Sequence, residues 1–371
     1  MELPIPENIK KLWDLWDLRF CILFSLFLQV CLVIFAPWRQ RSRRTWLHIF
    51  LWSVYLMADW VAAVAIGLIT KSQTNPFIAK GNGSIFAFWA SFLLLHLGGP
   101  DSITSFSLED NKLWIRHLFG VLLQVFGAVY SLFLTIPNNK LLIPTLIVFF
   151  VGTIKYSERT VALYLASLDN FGAIALPEPY AGHDYEAAVA IYSETRSVEA
   201  PEQIAITMAA NLGNFKDYNP TSESEEMKLL LTAYSLFEDF KGLFVDFLIS
   251  SNDRESSRKK FLEIESAETS FRLIEYELSL IYQLLHTKVS VVCSRFGLVV
   301  RFLSLWSMVV ACISFHYLVD KHKLKKFELI VTYVFLIGAI VVDIISGVNL
   351  IFSDMFLIDL HQQSWKNHIP G

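Results

Sequence analysis

The sequence predicts an all-α polytopic integral membrane protein with about seven transmembrane helices and an acidic helical insertion. Three observations support this class. Of the 371 residues, 54% are hydrophobic, 18% are charged and the mean hydropathy is +0.45, whereas about a quarter of the residues of a soluble domain are charged. Apolar runs long enough to cross a bilayer recur along the chain. These runs also flank one long acidic stretch.

Seven apolar runs are candidates for membrane spans. A transmembrane helix needs roughly 20 largely apolar residues, and about 17 to 25 is the workable range. The runs cover residues 19–37, 46–69, 85–97, 113–136, 141–156, 296–319 and 327–352. The third and fifth runs are short. Because the third run ends at a Gly-Gly-Pro stop, it is either a short span or a re-entrant half-helix.

Lysine and arginine in short loops predict which side of the membrane each loop faces. The first loop carries Arg39, Arg41, Arg43 and Arg44 without an acid, which places it in the cytoplasm. The second loop then lies outside, where the sequon at Asn82 is a candidate for glycosylation. The loop DKHKLKKFE between the last two runs disagrees, because seven crossings place its lysines outside. If the third run is re-entrant, this loop moves inside and the acidic middle moves outside.

The middle of the chain differs from its flanks in charge. Residues 161–290 carry 21 acidic and 10 basic side chains, a balance of −11, so the total of −4 leaves +7 for the rest. We divide the chain into an N-terminal membrane region (1–160), an acidic helical domain (161–290) and a C-terminal membrane region with a tail (291–371). The middle has no cysteine and no usable sequon, which favours a cytoplasmic location. Its acidity argues against nucleic acid as a partner, since phosphate binding needs clustered Lys and Arg.

Two amphipathic helices are predicted in the acidic domain. Residues 227–249 carry apolar side chains near the 3.6-residue period of an α-helix, and the preceding SESE suits a helix cap. The second pattern is a seam of apolar residues three and four apart. The seam comprises Ile264, Ala267, Phe271, Ile274, Leu278, Ile281 and Leu285. It predicts packing against the preceding helix, or self-association with a second copy of the chain.

A continuous helix is predicted between the acidic domain and the sixth span. No Gly or Pro lies between Phe261 and Cys293 to interrupt the second pattern. Lys288, Arg295 and Arg301 then mark the point where the helix meets the membrane. Such a rod would couple the acidic domain mechanically to the bilayer.

Four polar residues within the apolar runs are candidates for a functional site. They are Asp59, His96, Asp343 and Asn349. An ionisable group inside a membrane span is costly, so its presence suggests a function. Together they could form a polar path or a proton relay. Alternatively, Asp59 and Asp343 are buried contacts that fix helix packing.

The stretch LLLHLGGPDSITSFSLEDN, residues 93–111, supplies a second group of candidates. Its acids and hydroxyls follow the Gly-Gly-Pro stop and predict the lining of a cytoplasmic mouth. The candidate lining residues are Asp101, Glu109, Asp110 and, at the end of the fifth run, Arg159. Lys155 and Arg159 are also suited to snorkel towards lipid headgroups. A pairing of Arg159 with Glu109 or Asp110 is a further hypothesis, since all three would lie on the cytoplasmic side.

No motif for catalysis or cofactor binding occurs in the sequence. GxSxG, the P-loop and HExxH are all missing. His183, Asp184 and Glu186 lie close together, but a metal site would need a second cluster. The four cysteines lie in or beside apolar runs, so neither a disulfide framework nor a zinc site is predicted. We therefore predict no catalytic residue, no metal and no cofactor.

Three blocks of sequence resemble the plant membrane protein family called domain of unknown function 4220. They are ADWVA at 58–62, FWASFLLLHLGGPDSITSFSLEDNKLWIRH at 88–117 and IKYSERT at 154–160, in the same order as in that family. The resemblance implies a multi-pass plant membrane protein, in the plasma membrane or an endomembrane, and it brings no activity or catalytic residue. Members usually continue into a second C-terminal domain of unknown function, so the resemblance also implies a truncated form or a fragment.

Two classes of function follow from these observations. The first is a non-enzymatic membrane scaffold or signalling component that lies in membrane lipid and binds protein partners through its acidic helices. The second is a transporter or channel with an intramembrane polar path at Asp59, His96 and Asp343.

Overall fold

The structure is a computed structural model that describes residues 7–74, 76–136, 139–167, 224–241, 251–264, 266–319 and 324–366. Helices and no strand occur in these residues, which confirms the all-α class. The group at His183, Asp184 and Glu186 lies outside the described residues, and so does the side chain of Asn82.

The described helices fall into two compact units. In chain order they are α1 (Glu7–Arg41), α2 (Thr45–Thr74), α3 (Pro76–Gly98), α4 (Leu108–Lys112), α5 (Trp114–Phe133), α6 (Leu142–Leu165), α7 (Glu225–Phe240), α8 (Ser251–Leu262), α9 (Ala267–His286), α10 (Val289–Val292), α11 (Arg295–Leu318), α12 (Lys326–Ile351) and α13 (Asp354–Lys366). The first unit comprises Met1–Phe106, Ile115–Thr160 and Phe296–Val348. The second comprises Ser107–Trp114, Val161–Arg295 and Asn349–Gly371.

Helix α3 is the centre of the first unit. Every residue from Ile85 to Leu94 is buried, and α3 supplies the largest share of the main core cluster. The backbones of α3 and α6 lie close together, because a Cβ atom added at Gly152 would come within 2.9 Å of the Leu95 nitrogen. Small residues permit such close crossings between apolar helices. The third apolar run is therefore surrounded by other helices of the first unit.

Contacts with α3 fix the directions of the neighbouring helices. Trp89 donates its indole N–H to Thr332 of α12 at 3.0 Å, and three residues later Phe92 contacts Phe335 of the same helix. Helices α3 and α12 therefore run parallel. Gln73 near the end of α2 donates to the carbonyl of Gly83 near the start of α3, so these two helices run antiparallel.

The outer helices of the first unit carry apolar side chains on their exposed faces. Phe119, Leu123, Phe126 and Phe133 of α5 are each more than 60% exposed. A soluble protein rarely leaves so large an apolar face in water. Among the described residues, five helices are long and apolar enough to cross a membrane, namely Trp16–Arg41, Thr45–Thr74, Trp114–Phe133, Phe296–Leu318 and Lys326–Ile351. Gly83–Gly98 of α3 is a shorter apolar helix, and α6 carries three charged residues in its second half.

The second unit contains a helical core formed by α7, α9 and α13. Leu230, Tyr234 and Phe237 of α7 are buried against Leu280 of α9 and Ile358 of α13. The predicted cap is confirmed in part, because Ser224 precedes α7 and its hydroxyl accepts a hydrogen bond from the Met227 N–H at 3.4 Å. Residues 242–250 of the predicted helix lie outside the described residues.

Only part of the predicted seam of α9 packs within the second unit. Leu273 and Leu280 are fully buried in the contact with α7, and neither belongs to the seam. Phe271, Ile274 and Leu278, which do belong to it, are exposed. Ile264 and Ile281 of the seam do pack against these clusters, so the intramolecular interpretation is confirmed in part, and self-association stays a prediction.

The predicted continuous rod was also wrong. Helix α9 ends at His286, and the short α10 and a further break precede α11. The Thr287 hydroxyl donates to the carbonyl of Gln283 at 2.5 Å and accepts from the Val289 N–H at 3.2 Å. The backbone of Thr287 is extended, with φ −129° and ψ 169°, so the helical hydrogen-bond pattern stops there without Gly or Pro.

Candidate functional site: charged residues at the end of α3

Helix α3 ends inside the first unit at the Gly-Gly-Pro sequence. Gly99 has φ +65°, the left-handed conformation that glycine adopts at low cost, and its N–H donates to the carbonyl of His96 at 2.9 Å. Gln29 of α1 donates to the same carbonyl at 2.8 Å. Arg159 of α6 donates to the carbonyl of Leu97 at 3.0 Å. Side chains from two other helices thus satisfy carbonyls that the end of a helix leaves without partners.

Arg159 also binds a carboxylate on another helix. Its two terminal nitrogens donate to the two carboxylate oxygens of Asp59 on α2, at 2.6 and 3.1 Å. The guanidinium carbon also lies 5.4 Å from the centre of the Tyr55 ring. Arg159 is 4% exposed, so its charge depends on these partners. A cation beside the last carbonyls of α3 is further favoured by the helix dipole.

A second buried pair joins α6 to α12. The Lys155 ammonium donates to Asp343 Oδ1, and both side chains are less than 10% exposed. The other carboxylate oxygen, Asp343 Oδ2, is buried without a hydrogen-bond partner in the described residues. The ion pair with Lys155 is therefore made by Oδ1 alone.

A third group joins α11 to the segment that follows α3. Arg301 of α11 donates to Asp101 at 2.7 Å, and the same nitrogen lies 3.7 Å from Glu158 of α6. All three side chains are less than 15% exposed. The attraction between the paired charges must offset the hydration that each buried ion loses. Removal of one member would therefore leave the others as unpaired buried charges and destabilise the contact.

His96 joins α3 to α1. Its Nδ1 lies 2.9 Å from the hydroxyl oxygen of Ser25, and its ring meets the Phe335 ring edge to face. His96 is 8% exposed. It is therefore positioned as a helix contact between α1, α3 and α12.

The segment after Pro100 is non-helical and buried. Ile103, Thr104 and Ser105 are each at most 2% exposed. Arg39 of α1 donates to the carbonyls of Ser105 and Phe106 at 3.3 and 2.6 Å, and Tyr55 of α2 donates to the carbonyl of Thr104 at 3.3 Å. Non-helical backbone deep in a membrane protein is tolerated only where protein or a hydrated cavity satisfies it. Here, side chains of α1 and α2 do so.

Five of the predicted site residues take part in the contacts described above. His96 and Asp101 belong to α3 and the segment after it, whereas Asp59, Arg159 and Asp343 lie on the neighbouring helices α2, α6 and α12. Asn349 is exposed and belongs to the second unit. Sequence reasoning placed Arg159 opposite Glu109 or Asp110, whereas the structure pairs it with Asp59.

Glu109 and Asp110 form the first turn of α4 in the second unit. The Asp110 carboxylate accepts a hydrogen bond from the Ser107 N–H at 3.1 Å and completes a capping box. Hydrogen bonds to its own backbone N–H and to Ser107 hold the pKa of Glu109 below its ordinary value. Both acids thus act as helix caps.

Sequence reasoning missed several members of the site. Lys155 and Arg301 were interpreted as residues that anchor helices at the membrane surface, and Glu158, Ser25 and Gln29 were not singled out. A signal was present, because each cation inside an apolar run requires a counter-charge. Lys155, Glu158 and Arg159 also stand three and four residues apart, a spacing that places them on neighbouring positions of one helix face.

The chemistry of the site is that of paired charges. No group of three or more His, Cys, Asp and Glu residues that could hold a metal ion occurs in the part of the chain that the structure describes. Of the cysteines, Cys293 lies in the second unit, where burial and then the charge of Asp359 raise its pKa to about 12. A thiol that stays protonated is a poor nucleophile. The described geometry therefore offers ionic contacts between helices.

Comparisons with known proteins give one family. The model of the family described as Domain of unknown function (DUF4220) matches residues 52–370, which is most of the chain. No curated protein and no solved structure matches the chain.

We predict a strong energetic coupling between Asp59 and Arg159. Asp59→Asn leaves a buried guanidinium without its counter-charge and should cost about 3 kcal/mol of stability. Asp59→Asn together with Arg159→Gln removes both charges, so the double variant should lose less than the sum of the two single losses. Unfolding of the detergent-solubilised protein measures all four members of this cycle.

A matched control is the exposed pair Glu255 and Lys259 on α8, whose charged atoms lie 3.4 Å apart. Glu255→Gln and Lys259→Gln should couple by less than about 0.5 kcal/mol, because solvent screens this pair. Equal coupling in the two cycles would contradict the importance assigned to the buried pair.

Proposed function

The chain belongs to the DUF4220 family, and we propose that it is a non-enzymatic membrane scaffold or signalling component that binds protein partners through its acidic helical domain. The observation that carries this proposal is the pairing of charges in the first unit. Asp59 of α2 and Asp343 of α12 are two acids within the proposed spans, and each is paired with a basic side chain of α6. The plant origin and the plasma-membrane or endomembrane location that the sequence resemblance implies stay part of this proposal.

The ion pairs support a static role for the membrane region. Arg159 binds α2 and the end of α3, Lys155 binds α12, and Glu158 lies beside Arg301 of α11. A path for substrate would have to break such contacts, each of which is expensive to break when buried. Helices fixed in this way are suited to present a second domain.

The described part of the second unit supports a binding role. Helix α9 keeps exposed apolar side chains opposite the face that packs on α7, and exposed acids accompany them. Exposed apolar residues that cluster on a folded surface mark interaction sites.

We propose seven crossings with a cytoplasmic acidic domain. Support comes from the alternating directions of the helices in the first unit, in which α3 runs parallel to α12 and antiparallel to α2. Under this arrangement α3 crosses and does not turn back, so the basic loop after α1 and the acidic domain share one side.

This topology predicts the outcome of glycosylation mapping in an Asn82→Gln background. An acceptor sequon inserted within residues 161–290 should remain unmodified, and one inserted between α11 and α12 should be modified. Glycosylation of the insert in the acidic domain, with none between α11 and α12, would contradict seven crossings and would mean that α3 or α6 does not cross.

A transporter or channel is the second candidate. Two observations favour it, namely the end of α3 inside the helical unit and the buried oxygens Asp343 Oδ2 and Glu158 Oε2, which lack hydrogen-bond partners in the described residues. Interrupted helices with charged residues at the break form the ion sites of many transporters. In this candidate, Asp59, His96 and Asp343 line the path.

Neutralisation of the ion pairs separates the two candidates. Single Asp→Asn changes are unsuitable, because each leaves a buried cation without a partner. We therefore predict the behaviour of two double variants, Asp59→Asn with Arg159→Gln and Asp343→Asn with Lys155→Gln. Both should keep the partners that co-purify with the wild-type protein from native membranes.

The same proteins, reconstituted in liposomes, provide the contrasting measurement. The scaffold proposal predicts that wild-type protein does not dissipate an imposed proton or potassium gradient faster than empty liposomes. Gradient loss that requires the wild-type protein and disappears in folded double variants would establish transport and overturn the scaffold.

A further inference from the structure

Helix α9 has two apolar faces, and the second face is buried at Leu285 but exposed between Phe271 and Leu278. Leu273 and Leu280 have no exposed surface and lie in the clusters formed with α7. On the opposite face, Phe271 is 74% exposed, Leu278 is 60% exposed and Ile274 is 38% exposed. We call these three residues the outer stripe of α9.

The outer stripe has the spacing of a helix-binding surface. Its members stand at positions i, i+3 and i+7, so they form one line along two turns of the helix, about 10 Å long. A partner helix with apolar residues at similar spacing could lie along this line. The predicted seam of the sequence contains the same three residues, which explains why its period is that of a packed helix pair.

Acidic side chains flank the outer stripe on both sides. Glu268 and Glu275 are exposed and lie within about 60° of Phe271 around the helix axis. Glu277, which is partly buried, flanks Ile274 on the other side. The one arginine of α9, Arg272, is engaged by Glu226 of α7 at 2.9 Å. The stripe therefore combines apolar contact with a negative border.

The negative border of the outer stripe favours some binding partners over others. A second copy of α9 would place its own acids beside Glu268 and Glu275, and like charges at close range are unfavourable. An anionic lipid surface would be repelled for the same reason. A helix with an apolar stripe bordered by Lys or Arg matches both the shape and the charge of the surface.

We propose that the outer stripe of α9 binds a basic amphipathic helix of a partner protein. The inference rests on the proposed scaffold function and gives the chemical class of its partner. Phe271 and Leu278 supply the apolar anchors, because they have the largest exposed area to remove from water. Glu268 and Glu275 supply the charge preference.

A designed peptide tests the proposal on the full chain in nanodiscs of zwitterionic phosphatidylcholine. The probe is an 18-residue fluorescent helix with leucine at positions i, i+3, i+4 and i+7, bordered by lysine. A companion peptide carries glutamate at every lysine position. Fluorescence anisotropy, corrected for empty nanodiscs, should show binding of the lysine peptide that weakens as salt is added, and at least about tenfold weaker binding of the glutamate peptide.

Matched variants locate the binding surface. Leu278→Ser should weaken binding of the lysine peptide about tenfold, and Glu275→Lys should also weaken it. Leu262→Ser on α8 is the control for the first, since Leu262 is 68% exposed. Glu255→Lys, also on α8, is the control for the second because Glu255 is similarly exposed. Both controls should leave binding within about twofold of wild type.

Three outcomes would overturn the inference. The first is equal binding of the two peptides, and the second is equal loss in Leu278→Ser and Leu262→Ser. The third is a dimer that Leu278→Ser converts to a monomer while no peptide binds, which would assign the stripe to a second copy. If partners co-purified from native membranes are retained by Leu278→Ser, the scaffold proposal stands and the outer stripe is not its site.

Discussion

The arrangement of helices in the first unit depends on the hydrogen bonds that the last backbone carbonyls of α3 accept inside the protein. A helix that ends away from water leaves backbone carbonyls that need partners, and α3 ends among buried side chains. Arg159 donates to the Leu97 carbonyl and to both oxygens of Asp59, so one side chain satisfies the helix end and neutralises its own charge. This contact fixes α2, α3 and α6 together. The buried segment beyond Pro100 can then lie between α1 and α2, where Arg39 and Tyr55 satisfy its carbonyls.

Charged residues of α6 make similar ionic contacts with the other helices of the first unit. Lys155, Glu158 and Arg159 lie on neighbouring positions of one face, and each meets a different element: Asp343 of α12, Arg301 of α11 and Asp59 of α2. Three charged residues make α6 a poor match to lipid by composition, yet they are shielded because the helix packs against α3 through Gly152. Each of these ionic contacts joins two particular helices. Apolar packing between helices of similar composition discriminates less between possible neighbours.

The sequence predicts the membrane class, the positions of the apolar runs and the helix stop at Gly98 and Gly99, because composition and local backbone chemistry determine them. It also singles out Asp59, His96 and Asp343 as candidates, since ionisable residues in apolar runs are conspicuous. It does not predict the partners, because Asp59 and Arg159 are 100 residues apart and Asp101 and Arg301 are 200 apart. The predicted continuous rod was wrong because the backbone leaves the helical conformation at Thr287, and the predicted seam packs only in part because α9 is apolar on two faces.

Hydrogen exchange tests most directly whether Arg159 holds the end of α3. Arg159→Lys keeps the charge beside Asp59 but removes the planar set of donors that reaches Asp59 and Leu97 at once. The account predicts that amides in peptides covering residues 97–106 exchange at least about tenfold faster in Arg159→Lys than in wild type, while peptides from α8 are unchanged. Identical exchange of residues 97–106 in the two proteins would contradict the account.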